Sequence, residues 1–529
     1  MVAEKIIADN RNGINITIIL LLAVLLYFPH LGKTPIYILD EAKNAQCARE
    51  MMQRGDWIVP TFNQELRTDK PPFHYFFMIL AYKIFGVNEF AARFFSAIFG
   101  IGTLLVTYFF SRKFLGEMKA FFIVLVLLSS LHFTLEMHLS VPDPYLIFLI
   151  STGLFSVFTF LQTAEKKYVW LFYSCIGFGI LCKGPVAIVV PGLIVLFYLI
   201  LEKELSLKKL LQLQPFIGLA IVLLLALPWY YAVYKATDGA WVKGFLFEHN
   251  INRFMSAKEG HGGFFLLTAI FIFAGFLPFS VFIVQTVKHV KAFWQNPFIK
   301  FSALVSVVFL LFFTVSNTKL PNYPMPAYPF YAVLFGSFLH SWTSREYSGS
   351  MKMPFIILFI LMLAIPVAIY FVLKNEPPIS LLANLSVYFI IFPIGAFLGF
   401  YFYQKGNLRE SVYAVSGSFM LMAFVFFGWI YPVVYDQNPV NKSLALLNEN
   451  KPLVAYKIYN PGYNFYLNKP VKLFDDTAQL KAFTKIHPDY ILISRESLNP
   501  ELQSIGAKTV FKGKDIFETP VTIIMQHKL

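Results

Sequence analysis

The first 438 residues alternate between long apolar stretches and short polar ones. A helix needs about 20 apolar residues to cross the roughly 30 Å hydrocarbon layer of a bilayer, and many of the apolar stretches approach that length. They predict thirteen membrane-spanning helices, over residues 14–31, 90–110, 120–135, 144–161, 169–182, 185–201, 215–234, 263–286, 301–315, 323–341, 354–373, 379–403 and 411–434. The pattern therefore predicts a polytopic α-helical membrane protein.

One further apolar stretch, 73–86, is not predicted to cross. It is rich in aromatic residues and contains Lys83, a combination typical of a helix that lies in the headgroup region. We expect amphipathic helices in the two large loops that flank the spans, over 32–89 and 235–262. Together with the spans, these loops make a predicted transmembrane domain over residues 1–438.

The pattern changes in the last 90 or so residues, where short β-type runs alternate with helix-like segments. The β-type runs cover 451–459, 471–474, 489–494, 508–513 and 520–526. The helix-like segments between them cover 460–468 and 476–486. Alternation of this kind predicts a soluble α/β domain over residues 439–529.

Composition agrees with a membrane protein. The chain is 57% hydrophobic and 14% charged, with a mean hydropathy of +0.61, whereas soluble domains carry about 25% charged residues. The net charge of +14 would point to nucleic acid in a soluble protein, but here basic loops facing anionic lipid explain it. We therefore expect membrane lipid and no nucleic acid among the partners. Three scattered cysteines do not make a disulfide framework.

The loops on the N-terminal side of the spans are denser in lysine and arginine than those on the other side. The positive-inside rule therefore predicts a cytoplasmic N-terminus. Because the predicted number of spans is odd, the C-terminal domain is expected on the outer side of the membrane.

Most of the polar residues that suggest chemistry fall in loops on that outer side. These residues are Asp40, Glu41, Asp69, Lys70, Asp143, Lys183, Glu248, His249, Arg253, Lys319 and Tyr323. Each also has a structural explanation: the acids can cap helices, Lys183 can extend to the interface, and His249 can be a hydrogen-bonded core histidine. Taken together they predict a cavity at the membrane boundary, where carboxylates orient or deprotonate an acceptor and cations stabilise a phosphate.

Two segments of the first loop resemble a known signature. LDEAKNAQCAREMMQRGDWIVP (39–60) and DKPPFHYFFMILAYKIFGVNEFAARFFSAIFG (69–100) are similar to the bacterial aminoarabinose transferase and protein O-mannosyltransferase group. Matching elements recur downstream in order: Lys183-Gly184, Pro228-Trp229, Glu248-His249 with Arg253-Phe254, and Lys319-Leu320-Pro321-x-Tyr323. The resemblance covers roughly residues 14–340. Members of this group are GT-C-type, polyprenyl-phosphate-dependent glycosyltransferases.

The resemblance implies inverting transfer of a sugar from a polyprenyl phosphate at the periplasmic face of the bacterial inner membrane. Asp40 matches the principal catalytic acid and Asp143 a second one, with Glu41 beside Asp40 as a further candidate. The residues implied to contact the donor phosphate are Lys70, Lys183, Arg253, Lys319 and Tyr323. A divalent metal such as zinc is implied between Asp69 and His249, although Asp and His alone are an incomplete ligand set.

The sequence departs from the family pattern in two places. Asp69 stands where a Glu usually precedes Lys-Pro-Pro, and Lys43-Asn44-Ala45 replace a Tyr that usually follows Asp-Glu. The acceptor therefore stays open: a lipid A-type glycolipid is expected first, with transfer to Ser or Thr of a protein as the alternative. A membrane transporter is the alternative from another class, which the spans disfavour because they are nearly free of central charges. We expect the protein to be a monomer.

Overall fold

A computed structural model describes residues 2–251, 264–447, 451–502 and 505–527. Its α-helices are α1 (Val2–Tyr27), α2 (Leu39–Arg54), α3 (Phe73–Phe85), α4 (Glu89–Leu115), α5 (Glu117–Ser129), α6 (Leu131–Met137), α7 (Asp143–Thr163), α8 (Lys166–Lys183), α9 (Val186–Leu201), α10 (Leu207–Gln212), α11 (Pro215–Ala236), α12 (Ala240–Lys243), α13 (Leu267–Gly275), α14 (Ile283–Ala292), α15 (Pro297–Val315), α16 (Tyr328–Thr343), α17 (Lys352–Asn375), α18 (Ile391–Gln404), α19 (Leu408–Val425), α20 (Tyr431–Tyr435), α21 (Pro439–Leu447), α22 (Gly462–Leu467), α23 (Thr477–Ile486) and α24 (Asn499–Leu502). Two π-helical segments run over Gly244–Ile251 and Phe426–Ile430, and 3₁₀ segments over Phe279–Phe282, Met325–Ala327, Pro377–Ile390 and Glu496–Leu498.

Each predicted span coincides with a helix, or with two helices joined at a bend, within the described residues. Seven of these helices are individually long and apolar enough to cross a membrane, and up to nine qualify if each bent pair counts as one span. The bends are 72° between α5 and α6, and 109° between α13 and the segment Phe279–Ala292. The count by length is lower than thirteen because several helices, such as α9, are shorter than the roughly 20 residues that a crossing needs.

The helices differ in how deeply they are buried. In the apolar stretch of α7, 89% of the residues are buried within the protein, whereas in that of α17 the buried share is 17%. Helix α5 is almost wholly buried and packs against α16, where a Cβ on Gly336 would lie 2.4 Å from the Cα of Ile123. Only glycine permits so close an approach of the two backbones. Helices α5, α7 and α16 therefore form the centre of the bundle, with α11 and α17 at its periphery.

The C-terminal region contains the five predicted strands. They are β3 (Leu453–Tyr456), β4 (Lys472–Phe474), β5 (Ile491–Arg495), β6 (Ala507–Lys514) and β7 (Val521–His527), after a short β1–β2 hairpin (Thr61–Phe62 and Glu65–Leu66) in the first loop. The sheet order is β4-β3-β5-β7-β6, parallel from β4 to β5 and antiparallel from β5 to β6. Helices α22 and α23 lie where the sequence predicts them, so the α/β fold of this region is confirmed.

Backbone groups of this C-terminal region bind side chains of the first large loop. The side chain of Asn63, in the β1–β2 turn, donates to the carbonyl of Val471 and accepts from the Val471 amide, each at 2.8 Å. Its Oδ1 also accepts from the Asn464 amide group at 2.9 Å. On α2, Arg49 donates to the carbonyl of Phe465 at 2.6 Å and its guanidinium lies 4.8 Å from the Phe465 ring centroid. The C-terminal domain therefore fixes the helix that begins at Leu39.

Replacing Asn63 with glycine is expected to loosen this docking. Asn63 has a left-handed φ of 55°, which glycine adopts without strain, so the change removes the hydrogen bonds alone, each worth about 0.5–1.5 kcal/mol. Trypsin should release the C-terminal fragment at least about fivefold faster. The matched control is Gln64→Gly, whose φ is 68° and whose side chain is exposed; equal rates for the two variants would contradict the role of Asn63.

Candidate active site

Helix α2 brings the first two predicted acids to one end of the bundle. Asp40 and Glu41 lie in its first turn, where negative charge is favourable, and the helix ends at Gly55 in the left-handed conformation with a φ of 66°. The two neighbours point in different directions because successive helical residues are rotated by about 100°. Asp40 is exposed, whereas Glu41 is 1% exposed.

Glu41, predicted as a further candidate for a catalytic acid, lies in a buried ion pair. Both of its carboxylate oxygens bind the guanidinium of Arg93, at 2.7 and 2.9 Å, and Oε1 also accepts from the Ser140 amide at 2.9 Å. Arg93 is 2% exposed and donates its remaining hydrogens to the carbonyls of Leu31 and Thr34. Glu41 is therefore a structural residue that ties α2 to α4 and to the loop before α7.

Removing one side of this pair is expected to destabilise the protein strongly. Glu41→Ala leaves the Arg93 charge buried without its carboxylate, a change that costs about 3–5 kcal/mol. The melting temperature in detergent should fall well below that of Glu65→Ala, a control that removes an exposed glutamate from the same loop. A melting temperature equal to the wild type would show that the ion pair does not hold α2.

The loop before α3 holds Asp69 in contact with a histidine and an arginine. Its Oδ1 lies 3.0 Å from Nε2 of His249 and its Oδ2 lies 3.4 Å from Nε of Arg67. Burial alone would raise the pKa of Asp69, but the hydrogen bond from His249 and the charges of Arg67 and Lys70 outweigh it and hold that pKa well below its ordinary value. Asp69 is therefore ionised, and it lies beside His249, the residue with which it was predicted to share a metal.

The start of α7 and the end of α8 meet in a second ion pair. Nζ of Lys183 lies 2.6 Å from Oδ1 of Asp143, and the two side chains are 18% and 8% exposed. Asp143 is the first residue of α7, and the N-cap position is occupied by Pro142, so Asp143 is not the N-cap residue of this helix. The Lys183 ammonium also lies 5.3 Å from the ring centroid of Tyr323, within cation–π range.

These side chains line one cavity of about 670 Å³. Its polar wall is formed by Asp69, Lys70, Asp143, Lys183, His249, Ser316, Asn322 and Tyr323. Its apolar wall is formed by Leu146, Ile150, Pro185, Val186, Val189, Phe245, Leu246, Phe247, Phe309, Phe312, Phe313 and Pro326. Six of the predicted site residues, which come from five separate loops, thus lie at one end of a largely apolar hollow. This arrangement suits an amphiphile with an anionic head.

Asp40 lies beside this cavity rather than in its lining. It is one turn before Asn44 on α2, so the two share a helix face, and Asn44 binds both the Ser140 carbonyl and the guanidinium of Arg67. Asp40 also interacts electrostatically with Arg67, which contacts Asp69. Asp40 is therefore linked through Arg67 to Asp69, which lines the cavity.

Two residues predicted to bind phosphate differ from the rest. Lys319 is 9% exposed and its ammonium donates to the carbonyl of Ser316 at 2.7 Å, so it stabilises the turn behind Ser316 and is not among the cavity residues. Arg253 lies outside the described residues. Of the predicted phosphate contacts, Lys70, Lys183 and Tyr323 are therefore the ones that line the cavity.

A divalent metal at Asp69 and His249 does not fit the described residues well. A zinc site needs at least three protein ligands, and among the described residues no group of three or more His, Cys, Asp and Glu side chains is placed to hold a metal. Arg67 also occupies the second oxygen of Asp69, where its positive charge opposes a cation. No step of the reaction is assigned to a metal.

Two residues of this region were missed by the sequence reasoning. Glu136, near the end of α6, is 4% exposed and interacts electrostatically with Asp143 and Lys183. Asn322 lines the cavity, and its side chain interacts with the carboxyl group of Glu136. An acidic residue inside an otherwise apolar helix is itself a sequence signal of function, and this signal would have found Glu136.

Three of the matches to known sequences illustrate how far the similarity extends. The family profile described as "Dolichyl-phosphate-mannose-protein mannosyltransferase" matches residues 69–231. A protein of Aquifex aeolicus, described as uncharacterised, is 30% identical over 354 residues, which cover 64% of this chain and 78% of that protein. A Shewanella sediminis protein, undecaprenyl phosphate-alpha-4-amino-4-deoxy-L-arabinose arabinosyl transferase, is 27% identical over 322 residues; the match covers 60% of this chain and 58% of that relative.

Comparison of folds extends over nearly the whole chain. The crystal structure of ArnT from Cupriavidus metallidurans bound to undecaprenyl phosphate superposes with a TM-score of 0.82, covering 96% of this chain and 97% of that one. The sequence identity in this superposition is 20%, so the likeness shows a common fold. The shared fold includes both the helical bundle and the C-terminal region.

Proposed function

The chain belongs to the GT-C glycosyltransferases of the aminoarabinose transferase type, and on this premise we propose that it transfers a sugar from a polyprenyl phosphate to an acceptor at the membrane surface. The observation that carries the proposal is the cavity that joins Lys70, Asp143, Lys183 and Tyr323 to an apolar wall. A transporter would instead place its ionisable groups at the bilayer midplane.

The donor phosphate is bound at the polar end of the cavity, by Lys70 and Lys183. A phosphodiester carries one negative charge, and a charge-assisted hydrogen bond to an ammonium group is about twice as strong as a neutral one. Lys183 is the last residue of α8 and lies against the ring of Tyr323, so little conformational entropy is lost when it meets the phosphate. As the bond from sugar to phosphate breaks, these cations stabilise the charge that develops on the leaving oxygen.

The prenyl chain of the donor packs against the apolar wall of the cavity. Val186 and Val189 on α9 and Phe309 and Phe312 on α15 are accessible to the cavity, and burying apolar surface there contributes roughly 25 cal/mol per Å². Lipid tails can enter such a hollow sideways from the bilayer because the walls are themselves membrane helices. The head and tail of one lipid therefore bind along a continuous path.

The acceptor attacks the anomeric carbon from the side opposite the phosphate, which inverts its configuration. Asp40 lies at the edge of the cavity, and we assign it to the acceptor. If the acceptor is the phosphate of a lipid A-type glycolipid, it is already anionic and Asp40 positions it through Arg67 and neighbouring groups. If the acceptor is a hydroxyl group, Asp40 is the general base that receives its proton.

The glycolipid acceptor is the better supported of the two. The named relative acts as an arabinosyl transferase, and the large apolar wall suits two lipids more than an extended peptide. We further propose that the polar end faces the periplasm, as the distribution of basic loops predicts, and that one chain is sufficient for activity because the cavity is lined within a single chain.

Mass spectrometry tests this proposal directly. Glycolipids and glycoproteins from cells that express the chain are compared with those from cells that lack it and from cells that express an Asp40→Asn variant. We expect a glycolipid heavier by one sugar residue only in the presence of the wild-type chain. A sugar found on proteins and not on lipids would move the acceptor to Ser or Thr, and unchanged glycolipids and glycoproteins would refute transfer.

A further inference from the structure

A buried carboxyl group lies behind the phosphate end of the cavity. Glu136 is 4% exposed, and its Oε1 is buried with no hydrogen-bond partner among the described residues. The carboxyl group also interacts with the side chain of Asn322, which lines the cavity. A buried carboxylate oxygen without a partner is costly, above all when the group is charged.

The charges around Glu136 do not compensate a second carboxylate. Lys183 interacts with Glu136 electrostatically, but its ammonium is in direct contact with Asp143 at 2.6 Å. Asp143 adds a like charge, and Tyr328 also interacts with Glu136. The other ionisable groups near Glu136 have other partners. His132 is hydrogen-bonded to the Tyr328 hydroxyl and His138 to the Thr134 carbonyl, and Arg93 forms an ion pair with Glu41.

We propose that Glu136 is a protonated carboxylic acid whose unpartnered O–H can turn to Asp143, so that Lys183 can leave Asp143 and bind an anionic headgroup. Without a headgroup, Asp143 and Lys183 neutralise each other. When a phosphate takes Lys183, the carboxylate of Asp143 needs another donor, and the free Oε1–H of Glu136 supplies it. The proton stays on Glu136 throughout, and no other reactant is needed.

The identity of the headgroup as a lipid-linked phosphate rests on the proposed function. The net charge of the site depends on whether Glu136 carries its proton. With Glu136 neutral, the cluster of Glu136, Asp143 and Lys183 has no net charge, and Lys70 adds a positive one. With Glu136 ionised, the same cluster would be negative and would repel a phosphate at close range. The proton on Glu136 therefore sets the affinity of the site for anions.

Two measurements on the purified full chain test the proposal. Infrared spectroscopy at about pH 7 detects the C=O stretch of a protonated carboxylic acid, which should be present in the wild type and lost in Glu136→Gln. The affinity for methyl farnesyl phosphate, a phosphodiester whose charge is constant in this range, is then measured between about pH 6 and about pH 9. Glu117→Gln is the matched control, since Glu117 lies on α5 and bonds Asn15.

We expect the wild type and Glu117→Gln to lose about tenfold or more in affinity as the pH rises and Glu136 ionises, and Glu136→Gln to lose less than about threefold. If Glu136→Gln does not fold, Glu136→Asp must shift the same infrared band. Absence of the band in the wild type, or the same pH profile in Glu136→Gln as in the wild type, would overturn the proposal. If the probe binds at no pH, the proposed donor site fails, while the infrared band still decides whether Glu136 carries a proton.

Discussion

Replacing Asp40 with asparagine is expected to abolish sugar transfer while leaving the fold and donor binding intact. The side chain is exposed at the first turn of α2, so the protein does not depend on it for packing. Asparagine keeps the size and the favourable position near a helix start but neither accepts a proton nor carries a charge. General-base catalysis contributes about 10²–10⁴-fold to rate, so the loss should be at least about 100-fold for a hydroxyl acceptor.

The measurement is transfer from a prenyl-phosphate sugar in proteoliposomes, with the affinity for prenyl phosphate determined on the same preparation. The matched control is Asp238→Asn, because Asp238 is an exposed acid of another loop at the same end of the bundle and asparagine tolerates its φ of 46°. Asp238→Asn should transfer at the wild-type rate. If Asp40→Asn retained half or more of the wild-type rate, Asp40 would have no part in the reaction.

The position of the site was predictable because the polar loops had to share one side of the membrane. Alternating spans fix the side of each loop, so Asp69, Asp143 and Lys183 were expected together before any contact was known. The structure places them around one cavity. The strands of the C-terminal region were predictable for a different reason, since each is a short β-type run bounded by polar residues.

The roles of individual acids were less predictable because they depend on which cation each one meets. Asp40 and Glu41 are adjacent in sequence, yet Glu41 is bound by Arg93, which lies 52 positions away. Glu136 was not recognised because it follows a predicted span and its neighbours come from other elements, Asp143 from α7 and Asn322 from the turn before Met325. Lys319 matched the family motif, but its ammonium is directed to a carbonyl of its own turn. The spacing of residues along the sequence does not reveal where these side chains point.

The contacts that dock the C-terminal domain onto the first loop were also not predictable from the sequence. Its contacts to α2 and to the β1–β2 turn join residues more than 400 positions apart, and they use backbone carbonyls and amides, which leave no pattern of side chains. This docking gives the domain a structural role near the site. It holds the helix whose first turn carries Asp40.

Replacing Lys183 with methionine is expected to weaken donor binding most among the cavity variants. The phosphate would lose a charge-assisted partner worth about 1.5–3 kcal/mol, which corresponds to a roughly 10- to 150-fold higher Kd. Methionine keeps most of the volume of the side chain, so the cavity retains its shape. Lys235→Met is the matched control, because Lys235 is exposed at the end of α11 on the same side of the bundle, and its Kd should equal that of the wild type.

A double variant separates phosphate binding from stability. Lys183→Met alone leaves Asp143, whose side chain is 8% exposed, without its cation, and this costs stability as well as affinity. Adding Asp143→Asn removes the orphaned charge, so the melting temperature should recover towards the wild type while the Kd for prenyl phosphate stays at least about tenfold raised. If the second change restored affinity together with stability, the lysine would serve only to neutralise Asp143, and the donor phosphate would have to be bound by Lys70 and other groups.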